Sequence, residues 1–404
     1  MVTLDQVALL ELAAKRLYPN YRPAPFVLTS GRGSEIWDQT GKRYLDLCAG
    51  IAVTVLGHAH PRYVAALSEQ AARLVHVSNY FYTDTNILLG DQLCIRTGMD
   101  RVFFCNSGTE ANEAMLKLAR RHFYSRGQKD RYRIVAFEKA FHGRTLGSLS
   151  LTGTAAYREG FGPYEGGVTH VPYGDLDAVR AVMGRDVAAI IVEPIEGEGG
   201  VLPAPPGFLA GLRVLADGAG ALLLVDEVQT GIGRTGTFLA IQAEGVQPDA
   251  VSLAKGLAGG FPMGAMLCRE ALAGALPPGT HASTFGGNPL ASAAALAVLA
   301  VLDDEKLVEQ AQTKGEALSQ LLSKLTAKYP HLAEPERGRG LLRALPLRLG
   351  VSAPAVVAEL RARGVLVTVS GDSALRFTPP LVITVAQLEE GCRTLDEVLG
   401  ATVV

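Results

Sequence analysis

The sequence predicts an α/β fold, a large and mostly parallel sheet with helices on both faces, joined to a smaller α+β domain. Three observations carry this. Strand-like and helix-like segments alternate through the middle of the chain. Several strand candidates are unbroken runs of branched apolar residues, as expected of parallel strands buried on both faces. After about Leu302 the texture changes to charged helices and Pro/Gly/Arg-rich connections.

The elements follow in order. The first ~20 residues place Val7, Leu10 and Leu17 at helical spacing and read as an amphipathic arm. A turn at Gly31-Arg32-Gly33 precedes strand-like Ile36–Leu47. Val102–Cys105 is a short strand leading into a helix from about Thr109 to Tyr124. Arg133–Phe137, Ala188–Val192, Ala221–Val225 and Val251–Leu253 read as further strands. The alanine-rich stretch Gly286–Leu302 reads as a buried helix, because Asn288, Pro289 and Ser292 leave it short of the ~20 apolar residues a membrane span needs. A charged helix is expected over Asp303–Tyr329. Strands Leu341–Leu347 and Val365–Val369 then flank a helix from about Pro354 to Arg363. The division expected is 1–50 as arm and part of the small domain, 51–302 as the large domain, and 303–404 as the rest of the small one.

Bulk properties narrow the function. With 38 basic against 40 acidic residues the net charge is −2, so no global field draws the chain to nucleic acid or anionic lipid. Mean hydropathy is +0.19, yet charged residues interrupt nearly every long apolar stretch. The N-terminus lacks a basic-then-apolar leader pattern. Five cysteines with no CxxC spacing fit thiols in a reducing cytoplasm better than disulfides or zinc. His58 and His60 have no acidic or thiol partner at metal-ligand spacing, so no metal site is expected.

The chemistry concentrates at strand ends. In LLLVDEVQTG, Asp226 follows the most apolar strand in the chain, where open α/β sheets form their ligand crevice. A buried carboxylate there needs a cationic partner, although a helix-capping aspartate reads the same way. Lys255 follows AVSLA and precedes a glycine-rich run. Desolvation would lower its pKa and make it a nucleophile, and the plainer alternative is a strand-end lysine snorkelling to water. An acid and an amine at successive strand ends suit pyridoxal phosphate, which needs an anion at its ring nitrogen and an amine for its aldehyde. Ser107-Gly108-Thr109 opens a helix and offers an anion site, or only a cap. Phe141 could stack on a heterocycle and Arg144 could clamp a carboxylate, with a core Phe and a surface Arg as the alternatives. Arg376 in RFTPP and the STFGGNP turn carry the same ambiguity.

Taken together, AGIAVTVLGHAHP, FFCNSGTEANEAMLKLAR, AFHGRTLGSLS, VEPIEGEGGV, LLLVDEVQTGIGRTG, LAKGLAGGFPMGAM, THASTFGGNPLA and RFTPPLVIT, in this order, resemble the class III aminotransferases of the fold-type I pyridoxal-phosphate group. The wording is most similar to the acetylornithine branch. The resemblance implies a seven-stranded-type sheet and a small domain built from both termini. It implies Lys255 as the cofactor-binding lysine and proton shuttle, Asp226 as partner of the ring nitrogen, and Gln229 near the phenolic oxygen. Gly108 and Thr109 match phosphate binders, and Phe141 matches the stacking aromatic. Thr284 matches a phosphate ligand given by the second subunit of a homodimer with shared sites. Ser283 matches a substrate contact, Arg144 and Arg376 match two carboxylate clamps, and Glu198 matches an acid that pairs with Arg376.

The implied reaction moves the δ-amino group of N-acetyl-L-ornithine to 2-oxoglutarate, giving glutamate. Ornithine, succinylornithine and acetylated or carrier-linked lysine are rival donors. An aminomutase and a non-catalytic relative are rivals of another class. Two departures stand out. Pro346 interrupts a strand that is usually apolar and glycine-containing, so local distortion is expected. Glu196 stands where many relatives carry glutamine.

Overall fold

The central sheet is built from the runs that the sequence marks as buried. In spatial order its seven strands are Arg101–Cys105, Gly264–Cys268, Ala250–Leu253, Leu222–Asp226, Val187–Val192, Arg133–Phe137 and Val168–Val171. Gly264–Cys268 runs antiparallel to both neighbours, and all other pairings are parallel. Every residue of Val187–Val192 and of Leu222–Asp226 is buried. Each fully buried Val, Leu or Ile contributes roughly 1.5–3 kcal/mol, so these two strands anchor the domain. The computed structural model describes residues 4–164 and 166–402, so Met1–Thr3 of the expected arm lie outside the described residues.

Helix Gly108–Tyr124 packs on one face of the sheet, closing an apolar cluster with Met115, Leu118 and Ile134. Helix Pro289–Asp304 packs on the other side, against Pro61–Arg73 and Asp84–Thr97. It is the buried alanine-rich helix expected, and among the described residues no helix is long and apolar enough to cross a membrane.

Among the described residues, two four-stranded sheets and a two-stranded ribbon of Ile195–Glu196 with Leu202–Pro203 accompany the central sheet. In one four-stranded sheet, Leu28–Arg32, Glu35–Asp38 and Arg43–Asp46 form a meander to which Val365–Leu366 adds in parallel. The other has the order Arg337–Arg339, Leu342–Pro346, Ala374–Phe377, Thr368–Ser370. The single strand expected over Val365–Val369 is therefore two. The chain leaves one sheet after Leu366 and enters the other at Thr368, because each half finds a different backbone partner.

The charged helix begins later than expected, at Leu307 rather than Asp303, and ends at Lys328. Asp303 and Asp304 instead close the preceding helix, where their charge opposes the helix dipole. Lys306 then turns the chain at φ 50°. Pro346 does not distort its strand. It is the last residue, paired with Ala374 in unbroken register, and its carbonyl still accepts from Glu334 N at 2.9 Å. The arm forms helix Gln6–Arg16, capped by Asp5, but buries none of its side chains.

Candidate active site

Asp226 ends its strand opposite Ser252 of the parallel neighbour, and Lys255 lies three residues beyond Ser252. The acid and the amine thus leave adjoining strand ends and line one cavity of about 370 Å³. Asp226 is 3% exposed. Its Oδ2 accepts from Asn112 Nδ2 at 2.6 Å and His142 Nδ1 at 2.8 Å, and its Oδ1 from Val228 N at 2.9 Å and Ser252 Oγ at 3.2 Å. Burial pushes this carboxyl up, but His142, the Val228 amide and Asn112 outweigh it and hold it below the ordinary range. Each hydrogen bond to a charged group is worth about 1.5–3 kcal/mol, so four of them offset the desolvation of an ionised aspartate. The local bond to Val228 is the capping contact; the other three come from elsewhere in the fold.

Lys255 sits at φ 44°, in the left-handed region that an L-residue enters at a cost. Burial lowers its amine below the usual lysine range and Arg376 lowers it further, while Glu198, Glu193 and Asp226 oppose them. Among the described residues its Nζ has no hydrogen-bond partner. A half-buried amine facing a cavity without a hydrogen-bond partner is a nucleophile in waiting.

The cavity's anion end is the start of helix Gly108–Tyr124. Ser107 caps it, with Oγ accepting from Glu110 N at 3.3 Å and donating to Glu110 Oε2 at 2.7 Å. The N–H groups of Gly108 and Thr109 are first-turn donors without intrahelical acceptors. A Cβ on Gly108 would stand 2.8 Å from a Val228 methyl, and one on Gly143 would stand 2.2 Å from Thr109 Oγ1. This is a close-fitting cradle with a helix dipole behind it. Phe141 lines the wall, its N–H donating to Glu193 Oε1 at 2.9 Å. A neutralising acid, an amine, an aromatic wall and an anion cradle in one cavity fit a phosphorylated pyridine aldehyde.

Two arginines mark the substrate side. Arg144 is exposed and lines the cavity, its guanidinium 3.9 Å from the Tyr157 ring centroid and 5.5 Å from that of Phe141. It has no ion pair among the described residues. Arg376 is 1% exposed and pairs through Nη1 with Glu198, while its Nε donates to Thr368 Oγ1 at 3.1 Å. Burial pushes the Glu198 carboxyl up, but Arg376 and Lys255 outweigh it and hold the group below its ordinary range. Gln229 stands in the cavity and donates to Glu198 Oε1 at 3.3 Å.

Three expected residues do not line this cavity, and one of them, Arg376, meets it through Glu198. Ser283 Oγ accepts from the cavity-lining Asn106 at 3.3 Å without lining it. Thr284 lines a separate pocket with His76, Asn79 and Phe81. His58 and His60 are taken by carboxylates, at 2.9 Å to Asp46 and 3.2 Å to Glu305.

Sequence reasoning missed Asn112, His142 and Glu193. His142 sits inside the FHGRT motif, and Asn112 lies one turn into the helix after Gly108, but nothing local ties either to Asp226. Glu193 is buried, lines the cavity and accepts from Phe141 N; burial and the Asp226 charge raise it to about 8.

Comparison with known proteins gives the family. The sequence profile of the aminotransferase class-III family matches residues 17–399. The chain is a class-III aminotransferase. As a member it is a pyridoxal-phosphate-dependent transferase with the fold-type I architecture. Acetylornithine aminotransferase of Myxococcus xanthus is 49% identical over 383 residues, 95% of each chain. The acetylornithine/succinyldiaminopimelate aminotransferase of Yersinia pestis is 41% identical, covering 99% of this class-III chain and 97% of its own. The crystal structure of ornithine aminotransferase from Toxoplasma gondii ME49 superposes with a TM-score of 0.95 at 35% identity, over 99% of this chain and 96% of that one.

Proposed function

We propose that this class-III aminotransferase transfers the δ-amino group of N-acetyl-L-ornithine to 2-oxoglutarate, in line with the names of relatives such as that of Myxococcus xanthus. The carrying observation is the state of the two arginines. Arg376 is neutralised by Glu198, whereas Arg144 offers the one unpaired guanidinium on the cavity among the described residues. That arrangement receives a donor with one carboxylate, bound by Arg144, with its distal amine directed inward. A dicarboxylate needs a second clamp, which Arg376 provides once Glu198 turns away. Leaving Arg376 buried and unpaired would cost several kcal/mol, and Glu198 removes that cost in the donor-bound state.

Pyridoxal phosphate, when bound, supplies an aldehyde for the amino group and an electron sink for the neighbouring carbon. Asp226, held ionised by four donors, would keep a positive charge on the ring nitrogen. Gly108 and Thr109 would hold the phosphate and Phe141 would cover the ring face. Gln229 would orient the phenolic side. Lys255 Nζ would take the proton from the carbon that bears the departing amine and hold it for return on the far side of the nitrogen, to the cofactor's own carbon. Lys255→Ala is expected to lose the cofactor's bound absorbance band and turnover; wild-type turnover in that variant would reject this assignment.

We further infer a homodimer with shared sites. Tyr80, Phe81 and Tyr82 are 91%, 70% and 94% exposed, and Phe81 shares the Thr284 pocket. Such an aromatic patch wants a partner surface, and Thr284 and Ser283 would reach the phosphate and substrate of the second subunit. The five free cysteines support a cytoplasmic setting. A lobe built from 1–50 and 303–404, beside a 51–302 core, is supported by the sheet that pairs Val365–Leu366 with Arg43–Asp46. Measuring kcat/KM for acetylornithine, ornithine, succinylornithine and acetyl-lysine against 2-oxoglutarate tests the substrate. Acetylornithine is expected first or second, and a lower rank overturns the assignment.

A further inference from the structure

We infer that Thr368 and Ser370 are positioning residues that set the balance between the two substrates, each holding a different half of the Glu198–Arg376 pair. The inference rests on the exchange at Arg376 proposed above. Thr368 stands directly across the ladder from Arg376, and its hydroxyl accepts from Arg376 Nε at 3.1 Å. That bond fixes the guanidinium and leaves Nη1 for a carboxylate.

Ser370 acts on the other half. It is 2% exposed, and its Oγ donates to Gly197 O at 2.6 Å and accepts from Gly200 N at 3.0 Å. The next residue, Gly371, donates its N–H to Glu198 O at 2.9 Å. The approach is close: a Cβ on Gly371 would stand 3.0 Å from Gly199 O. Backbone groups before, at and after Glu198 are therefore pinned to the strand that also holds Arg376. Glu198 can leave Arg376 by rotating its side chain, while its backbone stays.

The two hydroxyls have opposite consequences. Without the Ser370 hydroxyl the Glu198 segment loosens, and the paired state that receives a one-carboxylate donor is weakened. Without the Thr368 hydroxyl, Arg376 loses its orientation. This matters most when Glu198 has turned away, because in the paired state Glu198, Gly197 O and Gln229 still hold the guanidinium.

Kinetics of the holoenzyme test this, using Ser370→Ala, Thr368→Val and the hydroxyl-preserving Ser370→Thr and Thr368→Ser. Losing one such hydrogen bond corresponds to about a fivefold change. Ser370→Ala is expected to raise the KM for acetylornithine about fivefold, with that for 2-oxoglutarate within about twofold. Thr368→Val is expected to do the reverse and to weaken binding of glutarate, read from the cofactor's absorbance, which Ser370→Ala leaves unchanged or tightens. Thr368→Ser restores the wild-type ratio. Equal losses toward both substrates in both variants, following a fall in melting temperature, would show a merely structural role and overturn the inference. Glu198→Gln separates the layers. If it leaves the substrate ratio unchanged, the exchange at Arg376 fails and this inference with it. If it shifts the ratio and neither hydroxyl variant does, only the positioning role fails.

Discussion

Glu196 shows how far a single side chain can depart from its ordinary chemistry in this fold. It is 0% exposed, and neither carboxylate oxygen has a hydrogen-bond partner among the described residues. Burial lifts the group to about 8, with Lys139 opposing and Glu138 adding. An acid whose folded pKa exceeds its unfolded value binds its proton more tightly when folded. Its burial is therefore tolerated below the unfolded pKa of about 4.3, and stability falls as pH rises from there toward 8. A glutamine at this position has no such proton to lose. Glu196→Gln is expected to raise the melting temperature at pH 8 by about 3–5 °C, with the gain shrinking toward pH 5. A gain that is the same at both pH values would mean that Glu196 does not titrate in this window. Asp226 goes the other way: equally buried, it stays ionised because four donors converge on it.

Among the elements, the long helix Leu307–Lys328 shows how backbone contact limits sequence. A Cβ on Gly315 would stand 2.3 Å from Gly340 O and 2.4 Å from its carbonyl carbon. Gly340 is itself at φ 53°, turning the chain between Arg337–Arg339 and Leu342–Pro346. Helix propensity alone favours alanine over glycine by about 1 kcal/mol, but overpacking against rigid backbone costs about 1–3 kcal/mol. The clash wins, so Gly315→Ala is expected to lower the denaturant midpoint; an unchanged or higher midpoint would show that the helix can shift away. Element boundaries were largely legible in the sequence. Arg133–Phe137 agrees residue for residue, and Gly108–Tyr124 differs by one position. The failures were Ile36–Leu47, which is a hairpin of Glu35–Asp38 and Arg43–Asp46 rather than one strand, and Val365–Val369 and Asp303–Tyr329, where an apolar or charged run continues in sequence while the backbone changes partner or turns at Lys306.

For the whole molecule, the site is incomplete on one chain if Thr284 serves a partner. Tyr80, Phe81 and Tyr82 stand exposed beside it, whereas most other aromatic rings pack against neighbours. Placing a charge in that patch with Tyr82→Asp is expected to shift sedimentation toward monomer and to lower turnover at least about tenfold, since an uncompensated charge in an interface costs several kcal/mol. A fully active dimer would remove the patch from the interface. The arm Gln6–Arg16, which buries no side chain in the single chain, is a second surface available to such an assembly.

Local pattern determined much of this protein. Apolar runs marked the strands, and residue types at the strand ends marked Asp226, Lys255 and the Ser107–Thr109 cradle, because a strand end, a helix start and a motif are all short-range features. Other features were decided only in three dimensions. The order of the seven strands, the grip of Asn112 and His142 on Asp226 and the unpartnered burial of Glu196 depend on residues far apart in sequence, whereas the pairing of Glu198 with Arg376 was expected through the resemblance alone. Desolvation and pairing depend on what surrounds a group after the chain has closed, and no local periodicity carries that information.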